Sequence, residues 1–277
     1  MRLGGAVFAK YESPGEWVEA VSALGYRAAF CPVPLDAAED DVRAYADATQ
    51  AADLVIAEVG AWSNPLSPDD ATRAAALDKC RAALSMADRV GAVCAVNIAG
   101  SLGEKWDGPC ADDLTPDTFQ MIVDTVRDII DAVQPTRAFY TLEPMPWMYP
   151  DSADSYVELL RAVDRPAFGV HFDPVNLICS PQRYARTGEV VREFVAKLGS
   201  HIKSCHAKDV VLRDRLTVHL DEVRPGLGGF DFATCLRELD ALGPDLPLMI
   251  EHLPTAEDYA LAGEHLRGVA REVGVAL

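Results

Sequence analysis

Short apolar runs alternate along this chain with longer segments in which apolar residues recur every third or fourth position. The runs at 3–8, 28–33, 54–60, 92–100, 138–143, 167–173, 202–207 and 247–252 have the length and apolar content of buried strands. Helical periodicity follows each of them, and the punctuation agrees. Ser13-Pro14 opens a helix that closes at Gly25, and a second covers about 38–51. Ser67-Pro68 opens one that runs to Val90, and Thr115-Pro116 opens one that runs to Val133. Further helices are predicted over 153–163, 181–198, Asp231 to Leu242 and Thr255 to Val273. The stretch between the seventh strand and its helix is an excursion of unassigned structure.

Eight strand-then-helix units with no break in composition predict a parallel sheet with right-handed crossovers. Eight units in a chain of 277 residues fit a closed (β/α)8 TIM barrel of the α/β class, read as one domain over 1–277. An open doubly wound sheet usually carries a Gly-rich phosphate loop after its first strand, and "FAKYESPGE" is not one.

Composition narrows the partners. A formal charge of -18 argues against a nucleic-acid partner, which needs clustered Lys and Arg. No stretch reaches the roughly 18 uninterrupted apolar residues of a membrane span, and the start is too short in apolar residues for a signal peptide. The seven Cys are scattered without a CxxC pair, which predicts reduced thiols and a cytoplasmic protein. Nothing here speaks against a homo-oligomer.

In a barrel of this kind the chemistry sits at the carboxyl ends of the strands. Strand five ends in Glu143 ("TLEPM"), strand six in Asp173 ("HFDPVN"), strand seven in His206 ("SCHAKD") and strand eight in Glu251 ("MIEHLP"). Any one of these alone reads equally as a helix cap or an ion-pair partner. Together they place three carboxylates at one rim, which is unfavourable without a cation among them. Three carboxylates and an imidazole suit a single divalent ion (Mn, Co, Mg or Zn), and the absence of thiolates argues against a structural zinc site.

With those four residues in place, the chain resembles the sugar phosphate isomerase/epimerase superfamily of xylose-isomerase-like barrels. Its metal site is closest to that of the ketose 3-epimerases. The likeness spans essentially the whole chain and includes "PGLGGFDF" at 225–232. It implies that Glu143, Asp173, His206 and Glu251 hold the metal, and that Glu143 and Glu251 also serve as acid and base. The reaction implied is isomerisation or epimerisation of a ketose, keto-cyclitol or related keto-sugar through a metal-stabilised cis-enediolate. A dehydratase or lyase acting on a keto-inositol or 3-keto-glycoside shares that intermediate and remains an alternative, as does a non-catalytic ligand-binding barrel. The superfamily's abasic-site endonuclease branch needs more metal ligands than this chain's six His and its strand-end carboxylates supply. Asn176 stands where the ketose epimerases carry a substrate-contacting histidine, Tyr149 where they carry a further glutamate, and Leu212 where they carry an arginine, with Arg213 and Arg215 close by.

His171, which shares strand parity with Asp173, reads equally as a substrate contact or as a satisfied core histidine, and further substrate contacts are expected from Asn176, Lys208 and Arg213. Glu58 and Asn97 end strands three and four and are expected to face the same pocket. Trp62, Trp106 and Trp147 fall in loops on that side, as a sugar platform or as lid packing. Asp209 either orients a ligand or caps the next turn. The Gly-rich loop at 99–110 lacks a Walker lysine and reads as a cover over substrate.

Overall fold

The computed structural model describes residues 1–277 and brings the eight expected strands into a closed parallel barrel. In chain order the elements are β1 (Arg2–Gly5), α1 (Pro14–Ala23), β2 (Ala28–Phe30), α2 (Glu39–Ala51), β3 (Val55–Gly60), α3 (Asp70–Val90) and β4 (Cys94–Asn97). Then come α4 (Pro116–Val133), β5 (Phe139–Leu142), α5 (Ala153–Val163), β6 (Phe168–Phe172), α6 (Pro181–Tyr184), α7 (Thr187–Leu198) and β7 (Ile202–Ala207). A hairpin of β8 (Asp209–Arg213) and β9 (His219–Val223) precedes α8 (Phe232–Asp240), β10 (Pro247–Ile250) and α9 (Ala256–Val273). Around the barrel the order is β1, β10, β7, β6, β5, β4, β3, β2, and β1 pairs with β2 to close the ring. No helix is long and apolar enough to cross a membrane. All seven cysteines are free thiols.

Helix starts follow the caps. Ser13, Thr115 and Thr255 each accept the amide three residues on, at the heads of α1, α4 and α9. One start moves: α3 begins at Asp70, because Asp69 takes the Thr72 amide while the Ser67 hydroxyl takes that of Asp69. The helix expected over 181–198 is two helices. Ser180 caps the short α6, and α7 restarts at Thr187, whose hydroxyl accepts the Asp231 amide.

Strand parity sorts the side chains into two layers. Phe172 points outward and stacks on Phe194 of α7 with ring centroids 4.2 Å apart, part of the apolar layer between barrel and helices. At the lower end of the barrel Ala28, Ala57 and Met249 fill the interior. Tyr156 of α5 joins two site-bearing strands: its hydroxyl donates to Leu142 O at 2.6 Å and accepts from the His171 amide at 3.3 Å. The polar interior residues lie above the small apolar plug, toward the carboxyl ends of the strands.

The excursion after strand seven is the β8–β9 hairpin and the loop that returns from it. Asp209 decides where that loop lies. Its carboxylate accepts the amides of Gly226 (3.0 Å), Gly228 (2.9 Å) and Phe230 (3.0 Å), and it is 1 % exposed. A Cβ on Gly228 would collide with that same carboxylate, so the glycine permits the approach. Of the two roles open to Asp209, the turn-capping one is what the structure displays. Asp209→Ala is expected to cost about 2–3 kcal/mol in urea denaturation, the scale of lost hydrogen bonds to a charged group. Hydrogen exchange should accelerate at the amides of 226–230 before it does elsewhere.

Candidate metal centre

Glu143, Asp173, His206 and Glu251 follow or end β5, β6, β7 and β10, which are consecutive neighbours in the ring. Inward parity brings their side chains together at the top of the barrel. His206 Nδ1 lies 2.9 Å from Glu251 Oε1, 3.5 Å from Glu143 Oε1 and 3.6 Å from Asp173 Oδ2. One donor atom from each of the four falls within 4.8 Å of the others, and all four residues are buried. Asp173 is oriented by the amides of Val175 and Asn176, which donate to its Oδ1 at 2.9 and 3.1 Å. Its Oδ2, together with His206 Nδ1 and Glu251 Oε1, is buried without a well-formed hydrogen bond, and only ion-pair contacts with Lys208 and within the cluster offset that. Converging buried polar atoms without partners are costly unless a cation joins them. The donor set and its span fit a divalent ion of oxygen and nitrogen preference, in the place where the Lys208 ammonium now lies against two of the donors.

Below this cluster lies a second carboxylate. Glu58 is 1 % exposed and accepts from His171 Nε2 at 3.0 Å, His206 Nε2 at 3.3 Å and the Ser204 hydroxyl. With Nε2 of His206 at Glu58, Nδ1 is the nitrogen that faces Glu143, Asp173 and Glu251; these carboxylates raise the imidazole well above its usual value despite its burial, so a bound cation would take the place of the Nδ1 proton. That is the arrangement by which a carboxylate fixes the tautomer of a metal-binding histidine. Burial would raise the Glu58 carboxyl, but the two imidazoles outweigh it and hold the group ionised below the ordinary carboxylate range.

Lys208, two residues beyond His206 on the same face, completes the charge pattern. Its ammonium lies 2.7 Å from Asp173 Oδ2, contacts Glu251 Oε1, and is 3.4 Å from Glu143 Oε1. Burial would lower the Lys208 amine, yet the surrounding carboxylates raise it well above its usual value. Burial likewise opposes ionisation of Glu251, and His206 and Lys208 reverse this, bringing its carboxyl down to about 2. Four buried carboxylates (Glu58, Glu143, Asp173 and Glu251) thus face one ammonium and two histidines, His171 and His206. Even with both imidazoles doubly protonated, one negative charge is left unmatched.

The cluster forms one side of the floor of a cavity of about 710 Å³. Glu58, Asn176, Lys208, Trp62, Trp106 and Trp147 line it, as expected. Asn176 donates to Glu143 Oε1 at 2.8 Å, so it holds a carboxylate as well as facing the cavity. Trp147 Nε1 donates to Asp107 O at 3.1 Å and ties the 99–110 loop across the mouth.

Three expectations fail. His171 is fully buried beneath the floor, its Nε2 bound to Glu58, so it contacts no solvent-filled space. Asn97 points outward toward α3, where its amide meets Ser63 O and Cys80 Sγ; the next residue, Ile98, faces the cavity instead. Arg213 sits on the exposed hairpin, paired with Asp221 at 2.9 Å, and does not line the cavity. His171 has the inward parity but lies one layer below the cavity, Asn97 is one residue out of phase, and the hairpin carries Arg213 away.

Sequence reasoning also missed several residues. Glu222 reaches the cavity from β9, 3.3 Å from His252 Nδ1 and 3.9 Å from Lys208 Nζ. Phe30, Tyr259 and His252 line it as well. His252 takes a left-handed backbone with φ 57°, a conformation that histidine tolerates better than most residues. Only the second residue of "EH" in "MIEHLP" carried a visible signal.

Residues 18–269 match the family described as xylose isomerase-like TIM barrel. The chain belongs to that family. Among solved structures of similar fold is endonuclease IV from Thermus thermophilus, with a TM-score of 0.74, 16% identity, and coverage of 98% of this chain and 100% of that one. Another is D-psicose 3-epimerase from Clostridium cellulolyticum, solved with D-tagatose, at TM-score 0.71, 14% identity and 100% of both chains. A xylose isomerase domain protein from Planctomyces limnophilus aligns at TM-score 0.68 and 21% identity over 98% of this chain and 96% of that one. At these identities the likeness is one of fold, and that fold is shared by a sugar epimerase and by endonuclease IV. No curated protein matches the chain by sequence.

Replacing Glu58 by Gln keeps the shape and removes the charge that orients His206. Divalent-ion affinity, measured by calorimetry with Mn²⁺ and Co²⁺, is expected to fall about 10- to 100-fold. The thermal transition of the metal-free protein should change far less than the affinity does.

Proposed function

We propose that this protein is a metal-dependent isomerase or epimerase of a keto-sugar, with Glu143 and Glu251 as its acid/base pair. The observation that carries this reading is the convergence of Glu143, Asp173, His206 and Glu251, one donor atom from each within 4.8 Å of the others, at the mouth of the barrel. A divalent ion held there would polarise a substrate carbonyl and acidify the neighbouring C–H. Glu143 and Glu251 stand on strands at opposite ends of the four-strand arc, so one carboxylate can take a proton from one face of the substrate while the other returns a proton to the opposite face. Asn176 keeps Glu143 aimed by its 2.8 Å hydrogen bond. His206 is kept in place by Glu58.

For the ion to reach all four donors, the Lys208 ammonium must leave Asp173 and Glu251. Its four-carbon stem allows the swing toward the cavity that it lines. There it supplies a proton donor to an oxygen of the substrate. This third proton-bearing group favours the second reading, a dehydratase or lyase, because elimination needs a donor for the departing oxygen. The acidic charge supports a small-molecule substrate over nucleic acid.

The deciding experiment incubates metal-loaded protein with ketoses and keto-cyclitols in D₂O. Deuterium at the carbon beside the carbonyl, abolished by chelation and restored by Mn²⁺, is the expected result; no exchange with any substrate, metal bound, overturns the proposal. Glu143→Gln and Glu251→Gln should each slow exchange by at least about 100-fold, the scale of a lost general base. Their effects should combine non-additively, because both act on one intermediate. Lys208→Met, which removes the competing ammonium, is expected to tighten divalent-ion binding while slowing turnover. Weaker ion binding in that variant would exclude the swing.

A further inference from the structure

The cavity has two chemically distinct halves. One half, from β5 through β10 and the hairpin, presents Glu143, Asn176, Lys208, Glu222, Glu251 and His252. The other, from the ends of β2, β3 and β4 and the 99–110 loop, presents Phe30, Trp62, Ile98 and Trp106, with Trp147 and Met145 where the halves meet. A six-carbon sugar carries hydroxyls around its whole ring and needs partners on every side. The second half offers few: the Glu58 carboxylate at its base is taken up by His171, His206 and Ser204, Cys31 Sγ is turned to Val33 O, and the Asp107 carboxylate, 3.3 Å from the Lys105 ammonium, is the polar group left in the 99–110 loop.

The aromatic half is built into the fold. Gly60, the last residue of β3, has the Trp62 indole lying against it: a Cβ there would come within 2.5 Å of Trp62 Nε1 and 2.8 Å of Cδ1. The glycine therefore lets the Nε1–Cδ1 side of the ring approach the strand end. Trp147, anchored to Asp107 O, holds the loop that carries Trp106 in place. The volume of about 710 Å³ is well above what one sugar ring fills and lies within the roughly 300–1,000 Å³ range of pockets for drug-sized ligands.

We infer that the substrate is a keto-sugar bearing an aromatic or flat apolar substituent, with the oxygenated ring over the Glu143–Asp173–His206–Glu251 cluster and the substituent against Trp62 and Trp106. The inference rests on the keto-sugar reading of the cluster and specifies what lies beside it. Stacking of a flat group on an indole and removal of its apolar surface from water supply the selectivity.

Calorimetry of the metal-loaded protein with phenyl 3-keto-β-D-glucopyranoside and its methyl counterpart tests it. The phenyl compound is expected to bind at least tenfold more tightly, and Trp62→Ala and Trp106→Ala are each expected to reduce that phenyl-to-methyl ratio fivefold or more. These two indoles border solvent, so the variants should fold, which circular dichroism checks. Equal affinities, a ratio untouched by both variants, or no binding of either compound at millimolar concentration overturns the inference. Deuterium exchange into the same two compounds reports separately on the enediolate chemistry: binding selectivity without exchange overturns the reaction and leaves the aromatic subsite standing.

Discussion

Like-charge crowding around His206 is the constraint on which the upper barrel is organised. Glu58 approaches the imidazole from below, and Glu143, Asp173 and Glu251 surround it from above. None of these carboxylates can be buried at tolerable cost without a positive neighbour. The protein supplies Lys208 and the imidazole itself, and the remaining imbalance defines what the site accepts. Much of the surrounding structure serves to hold these groups against mutual repulsion: amides on Asp173, Asn176 on Glu143, Ser204 on Glu58, and the Tyr156 hydroxyl between β5 and β6.

The same crowding explains why the floor is stiff and the roof is varied. The groups on strands are fixed by ladder hydrogen bonds and parity, whereas the aromatic half is carried by loops that follow β3, β4 and β5. A rigid floor preserves a demanding charge geometry, and loops above it set shape. In the proposed reaction, the first governs chemistry and the second governs which molecule undergoes it.

The barrel was legible in the sequence because its signals are local: eight apolar runs, Ser-Pro and Thr-Pro caps, and no linker. Glu143, Asp173, His206 and Glu251 were legible as a group because each closes a strand, and the structure gathers them. Asn97 was not, since a side chain one residue out of phase faces the helices, and strand phase is uncertain by one residue at an end. His171 had the right phase but sits one layer too deep, where Glu58 claims it. Glu222 and Tyr259 reach the cavity from a hairpin and a helix distant in sequence from the strand ends. Their arrival depends on tertiary placement that no periodicity encodes.

The hairpin enters the chain immediately after Lys208, and Asp209 fastens its return loop to that same point. The only strand pair outside the barrel is therefore grafted at the residue that joins floor to wall. Lengthening or trimming such an arm leaves every strand register below it intact while redrawing one side of the chamber. Within one lineage, the scaffold can thus trade guests by editing a single appendage and keep its charged machinery unaltered.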